Sequence, residues 1–348
     1  MMKRYIPILA IIVFIAAMLG LSDYIWKQQE LAQMQAAYEA ERHLVVYSDL
    51  PNDVNTDIAA AFYKRTHMRV QIYSKTDSQI NSSMEDSMSH QPDIIIAAEP
   101  VLQQQQKRAM FKPYASEVTE HVPYDFKDAD GNWNGLWYNP LVFVISNSYY
   151  ERQGLHIQQW DDLLTDSQLT LVFPDLASMD IAGDFLCSFV EARGLEETAL
   201  YMKELQTHIA VYSKSMTTGA RRIAGGEADM GVIDAATARQ YRTDGAPIFI
   251  IYPRDGTSYW LTGAAVTKWC EDSELTSQFM DWLYSDDINQ VLHKNHIYLT
   301  YVNDEVPKEL DAKGQEIVLL PVKKEYTEQG RRDIQDWWLN TVRFGKEP

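Results

Sequence analysis

The chain has 348 residues, 46% of them hydrophobic and 23% charged, with a net charge of -18. That length and apolar content suffice for two domains or one large one, with an ample core. So acidic a chain argues against nucleic acid or an anionic lipid face as a partner, because phosphate contacts need a basic stripe.

Met1 to Arg4 is short and basic, and residues 6–21 (IPILAIIVFIAAMLGL) are almost continuously apolar. A basic start before such a run predicts a signal peptide or signal anchor over residues 1–22. Its length falls between a signal core and a full span of about 20 residues. Lys3 and Arg4 keep the N-terminus inside and send the remainder out, which predicts an extracytoplasmic location. No cysteine follows the apolar run, so a lipoprotein-type anchor is not expected. Residues 23–42 are rich in Gln, Ala and Glu without Gly or Pro, and predict a helical spacer.

Leu44 to Tyr47 is an apolar run suited to a buried parallel strand, followed by a turn from Ser48 to Asn52. Val54 to Arg65 shows helical spacing, Val70 to Tyr73 is a second strand, and a helix follows the polar loop Ser74–Gln79. Pro92 to Ala97 is a third strand leading to Glu99. Strand, helix, strand, helix, strand is a doubly wound α/β pattern. Ligands on such sheets bind beyond the carboxyl ends of the strands. That nominates Ser48, Asp49, Asp77, Ser78, Gln79 and Glu99, although strand-to-helix loops favour Ser and Asp regardless of function.

Asp128–Trp133 (DADGNW) is turn-rich but lacks the spacing and closing glutamate of a calcium loop. The strand Leu141–Ile145 follows Trp137, Tyr138 and Asn139. Leu169–Phe173 is a strand, and Ser178 is placed to cap the helix after it and to touch a ligand anion there.

Residues 213–234 read SKSMTTGARRIAGGEADMGVID. Hydroxyls at Ser213, Ser215, Thr217 and Thr218 precede a short helix, and a strand ends at Asp234. Hydroxyls at a helix start cap free N–H groups, and the same geometry receives anions. Arg221 and Arg222 lie on that helix, where long cations usually reach solvent. Pro247–Tyr252 is a further strand, Asp255–Thr257 a turn, and Arg331–Val342 an amphipathic helix whose Trp337 and Trp338 should fill core. His293 and His296 have no evident carboxylate partner for a metal. No P-loop, HExxH, GxSxG or GxGxxG occurs, no carboxylate pair stands out for acid–base work, and no cofactor is expected. The absence of these motifs counts against a hydrolase.

Four segments in this order resemble the type 2 periplasmic solute-binding proteins, in the branch that takes ferric iron or phosphorylated sugars. They are Leu44–Ser48, Gly135–Pro140, Ser213–Asp234 and Tyr252–Thr257. The resemblance implies a two-lobe α/β fold, each lobe a sheet flanked by helices, with residues 43–139 and 252–348 in lobe 1 and 140–251 in lobe 2. It adds Tyr138, Asn139, Asp234 and Thr257 to the expected ligand residues, and Cys187 and Cys270 fall in different lobes as free thiols. It implies a monomer that binds a small anionic solute, phosphorylated or carboxylated, for an ABC transporter permease. Ferric iron held with an anion is an alternative. So is a ligand receptor, tethered to the membrane by its N-terminal segment, that feeds a sensor kinase. The ferric binders place adjacent tyrosines after the strand that here ends at Asp234, where this chain has Ala235 and Ala236. Tyr149–Tyr150 lies at the wrong place for that pair.

Overall fold

A computed structural model describes residues 42–86, 91–176, 178, 181–302, 317–320 and 328–345, with 18, 21–22 and 24–29 near the N-terminus. Residues 24–29 are helical and exposed. No helix among the described residues is long and apolar enough to cross a membrane. Most of the segments 1–22 and 23–42 lies outside the described residues.

The first lobe opens with β1 (His43–Ser48), α1 (Asn52–Thr66), β2 (Arg69–Ser74), α2 (Asp77–Glu85), β3 (Ile94–Ala98) and α3 (Glu99–Lys107). β1 pairs in parallel with both β2 and β3. α1 is helical because Val54, Ile58 and Phe62 recur every four residues and form one buried stripe. It stops at His67, which adopts a left-handed φ of 60° and donates its N–H to the Tyr63 carbonyl.

After the short β4 (Phe111–Lys112) comes β5 (Asn134–Ser146), a thirteen-residue strand buried along its whole length. Its first half pairs antiparallel with β10 (Tyr259–Thr267), and its second half with β8 (Met230–Asp234) and β9 (Ile248–Ile251). β6 (Leu171–Pro174) and β7 (Ile209–Ser213) complete the second sheet, giving the order β2-β1-β3-β10-β5-β8-β6-β7. β11 (Thr300–Tyr301) pairs with the first half of β5. One strand thus belongs to both sheets, and the chain crosses at Pro140–Leu141.

Each sheet has its own core. Val46, Ile95, Phe62, Trp137 and Phe279 lie in the first; Phe143, Trp160, Phe173, Phe185 and Ile233 lie in the second. The helices α4 (Ile181–Arg193), α5 (Met216–Ala224) and α6 (Ala235–Thr243) belong to the second lobe, and α7 (Ser273–Trp282) and α8 (Asp286–Lys294) to the first. Cys187 and Cys270 are both free and buried. Burial, and then Asp184, push the Cys187 thiol up to about 12, so it stays protonated and unreactive.

The placement of 252–348 in one lobe needs correction. α9 (Glu328–Trp338) packs on the second core, as does Tyr252. Trp338 meets Tyr212 edge-on at 5.9 Å, and Arg331 pairs with Asp184 at 2.7 Å. The chain returns through residues 317–320: Thr257 donates its N–H to Val318 at 2.9 Å and accepts from Leu320 at 2.8 Å. An amphipathic pattern states that a helix has an apolar face, not which core covers it.

Candidate functional site

The strand registers place the site. Leu141 lies opposite Asp234, so the carboxyl end of β8 abuts the crossing. β6 is parallel to β8 and β7 to β6, so all three end on that side. In the first lobe Tyr259 lies opposite Pro140, and Thr262 opposite Ala98. The carboxyl ends of β3, β1 and β2 therefore also point at the crossing. Two rims of strand ends and helix starts face each other there, as ligand sites on open α/β sheets require.

On the first rim, Ser48 is fully buried; its hydroxyl accepts the Leu50 N–H at 3.1 Å and its carbonyl accepts from Lys75 at 2.8 Å. The Asp49 N–H donates to Ile96 at 3.1 Å. Burial, and next the neighbouring Asp77, push the Asp49 carboxyl up to about 7, against hydrogen bonds from the backbone of Ala98 and its own. Asp77 and Ser78 are exposed at the start of α2. Gln79 is engaged in a capping box: its N–H donates to Thr76 Oγ1 at 3.3 Å and its Oε1 accepts the Thr76 N–H at 3.0 Å. Glu99 opens α3 and accepts from Gln103 Nε2 at 2.8 Å. Tyr138 stacks on Phe126 at 5.4 Å, and Tyr259 meets Tyr138 edge-on at 6.0 Å. Burial, then the Glu99 carboxylate, raise the Tyr259 hydroxyl well above its ordinary range.

On the second rim, Ser213 is buried and donates to the Ser215 carbonyl at 2.7 Å. Ser215 caps α5, accepting the Thr218 N–H at 3.2 Å and donating to Thr218 Oγ1 at 2.9 Å. Thr217 is exposed, and its carbonyl accepts from the Tyr241 hydroxyl at 3.1 Å. Two glycines let this helix lie close on the sheet. A Cβ on Gly219 would come 2.6 Å from Ile233, and one on Gly231 would come 2.6 Å from Ile223. Arg221 is exposed, and Arg222 pairs with Glu227 at 3.0 Å, so both lie away from the capped turn. Ser178 is exposed and donates its N–H to Asp175 at 3.0 Å; its expected helix cap falls on residues 179–180, outside the described residues.

Between the rims lies a buried polar seam. Asp234 caps α6 through the Thr237 N–H at 2.8 Å and accepts from Asn139 Nδ2 at 3.0 Å. Asn139 Oδ1 in turn accepts the Ala236 N–H at 3.0 Å. Thr257 has no exposed surface and donates to the Leu141 carbonyl at 2.6 Å. Arg239, on α6, donates to Tyr252 Oη at 2.7 Å, to Thr300 Oγ1 at 3.0 Å and to the Tyr298 carbonyl.

Of the expected residues, Asp49, Asp77, Ser78, Gln79, Glu99, Ser215, Thr217 and Thr218 keep accessible surface on the two rims. Ser48, Ser213, Asn139, Asp234 and Thr257 form the frame beneath them, and Tyr138 is buried in the aromatic stack. Arg239, Phe126 and Tyr259 were not expected. The arginine carries no local signal, since a cation inside a helix reads as a solvent-facing residue. The DADGNW loop is satisfied internally: burial works against the charge on Asp128, but hydrogen bonds from Asn132, Gln106 and Asp130 hold its carboxyl below the usual range. Among the described residues no group of three or more His, Cys, Asp or Glu converges as a metal site.

A family model described as bacterial extracellular solute-binding protein matches residues 44–297. An uncharacterized protein of Haemophilus influenzae is 24% identical over 249 residues, which is 68% of this chain and 72% of that one. Several solved structures share the fold. The periplasmic binding protein AfuA of Actinobacillus pleuropneumoniae, with fructose-6-phosphate bound, superposes with a TM-score of 0.65 at 20% identity, covering 86% of this chain and 98% of that one. Iron-bound HitA of Pseudomonas aeruginosa gives 0.69 at 15% identity, covering 84% and 98%. A Bordetella ferric binding protein gives 0.71 at 17% identity, covering 87% and 99%.

Proposed function

The chain belongs to the bacterial extracellular solute-binding proteins, and we propose that it captures a small anionic solute between its lobes for an ABC importer. The solute is a phosphorylated or carboxylated organic compound. The observation that carries this is the facing of the two rims across Pro140–Leu141. It turns the capped N-terminus of α5, with Ser215, Thr217 and Thr218, toward the first lobe. Free N–H groups, hydroxyls and the helix dipole there favour negative charge. Lobe closure around the solute would bring both rims onto it.

The lobes join at the crossing Pro140–Leu141 and again after Tyr252, with α9 carried by the second. The N-terminal apolar segment exports the chain and, if retained, tethers it to the outer face of the cell membrane. The protein is a monomer without catalytic activity.

Direct ferric coordination fits less well. Ala235 and Ala236 open α6 where the ferric binders carry tyrosines, and methyl groups coordinate no metal. Iron held with a bound anion is tested alongside the organic anions. A membrane-tethered receptor for a sensor kinase is the alternative role for the same cleft. Arg42, the last residue of the spacer, is clamped to Asp272 and, at 3.0 Å, to Glu274 on the first lobe. That fixes where a tether would join the body.

A thermal-shift screen over phosphorylated sugars, phosphonates, organic acids and ferric citrate tests the reading. A ligand at a hundredfold excess over Kd stabilises by about 2.7 kcal/mol. A shift with one anion, lost in Ser215→Ala/Thr217→Ala, is expected. A shift with ferric salts only would put iron first, and no shift with any compound would leave the anion reading without support.

A further inference from the structure

Helix α6 touches three things that belong to different parts of the molecule. Its N-terminus is held by Asn139 of the crossing strand, through Asp234 and the Ala236 N–H. Its middle reaches the first lobe, where Arg239 donates to the Tyr298 carbonyl and to Thr300 Oγ1 at 3.0 Å. Its last turn supports the hydroxyl turn of the second rim, because Tyr241 donates to the Thr217 carbonyl at 3.1 Å.

Thr300 sits on β11, which pairs with Tyr138 and Trp137, so the Arg239 contact spans the two lobes. The guanidinium is buried, with a second anchor on Tyr252 in its own lobe. Arg offers several donors in a rigid planar fork, which suits it to hold three acceptors at once. A rotation of one lobe against the other changes the distance between α6 and β11 while the Tyr252 anchor moves with the helix.

We propose that α6 is a coupling element, with Arg239 and Tyr241 as its two contacts, that links the angle between the lobes to the order of the turn Ser215–Gly219. The chain of contacts is continuous: β11, Arg239, the helix, Tyr241, Thr217, and the capped turn. Its consequence for solute binding rests on the cleft reading above. Closure would then tighten the anion-facing turn, and opening would loosen it, so capture and release follow the lobe angle. Arg239 and Tyr241 are positioning residues in this scheme.

Hydrogen exchange on the full, solute-free protein tests the coupling without a ligand, so failure of the cleft reading would not affect the outcome. The reporters are the amides of Thr218 and Gly219, which donate to Ser215 Oγ and to the Ser215 carbonyl. Thr300→Val removes one acceptor in the first lobe, and Arg239→Lys keeps the charge but loses the fork. Both are expected to speed exchange at those two second-lobe amides roughly fivefold, the effect of about one hydrogen bond. Tyr241→Phe is expected to do the same while leaving residues 298–302 unchanged. Acceleration confined to 298–302 in Thr300→Val and Arg239→Lys, or no change at the turn in Tyr241→Phe, would overturn the proposal.

Discussion

Asp49 and Asp234 stand at the carboxyl ends of parallel strands, one in each lobe, and each lies just before a helix. Asp234 is buried and engaged by Asn139 and by the Thr237 N–H. Asp49 is enclosed beside Asp77, its carboxyl held up to about 7, and the hydrogen bonds that oppose this come from backbone N–H groups. Topology made the two positions equivalent; the partners Asn139 and the Thr237 N–H made Asp234 a structural cap, whereas burial and then Asp77 hold the Asp49 carboxyl up. The same contrast runs along the rims. The second rim turns hydroxyls and a helix N-terminus to the crossing, and the first turns carboxylates and an aromatic stack.

The contrast can be broken most severely from outside the cleft. Trp338→Ala empties a fully buried site under the second rim and should cost about 3–5 kcal/mol in urea unfolding. Amides of the second lobe should show most of the added hydrogen exchange.

Asp49→Asn tests the first rim through pH. The folded acid holds its proton up to about 7, whereas the unfolded one releases it near 3.8. Stability of the parent therefore falls as pH rises through that window and stays lowered above it. The variant should be more stable than the parent at pH 8, on the order of 3 kcal/mol, with the difference gone near pH 3.5. Urea melts at the two pH values decide it, and a constant difference would refute the assignment.

Asp234→Ala tests the opposite case. Losing the cap and leaving Asn139 without its acceptor should cost about 2 kcal/mol, measured by the same melts at pH 7. Ser215→Ala should cost less, about 1 kcal/mol, since that cap is solvent-exposed and its loss is partly met by water. A Ser215→Ala penalty larger than that of Asp234→Ala would invert the ranking of the two second-lobe caps.

Much of the fold was legible in residue patterns. Val54, Ile58 and Phe62 announce α1, and the apolar run Leu141–Ile145 announces the crossing strand. Its extension back to Asn134 was hidden by Asn139 and Pro140, which are poor strand formers that tertiary pairing with β10 overrides. The candidate site was legible as a set of strand ends. Which members stay accessible was not. Thr257 reads as a turn hydroxyl near the cleft, and its bond to Leu141 across 116 positions takes it out of reach of a ligand.

From the residues alone follow the alternation of strands and helices and the capping hydroxyl at Ser215, because each depends on neighbours a few positions apart, and the absence of a disulfide framework, because the chain has two cysteines. The tertiary structure alone decided that α9 covers the second core, that Asn139 and Asp234 are partners 95 residues apart, and that Arg239 spans the lobes. Those outcomes depend on which surfaces meet after folding, and local periodicity carries no information about the partner surface.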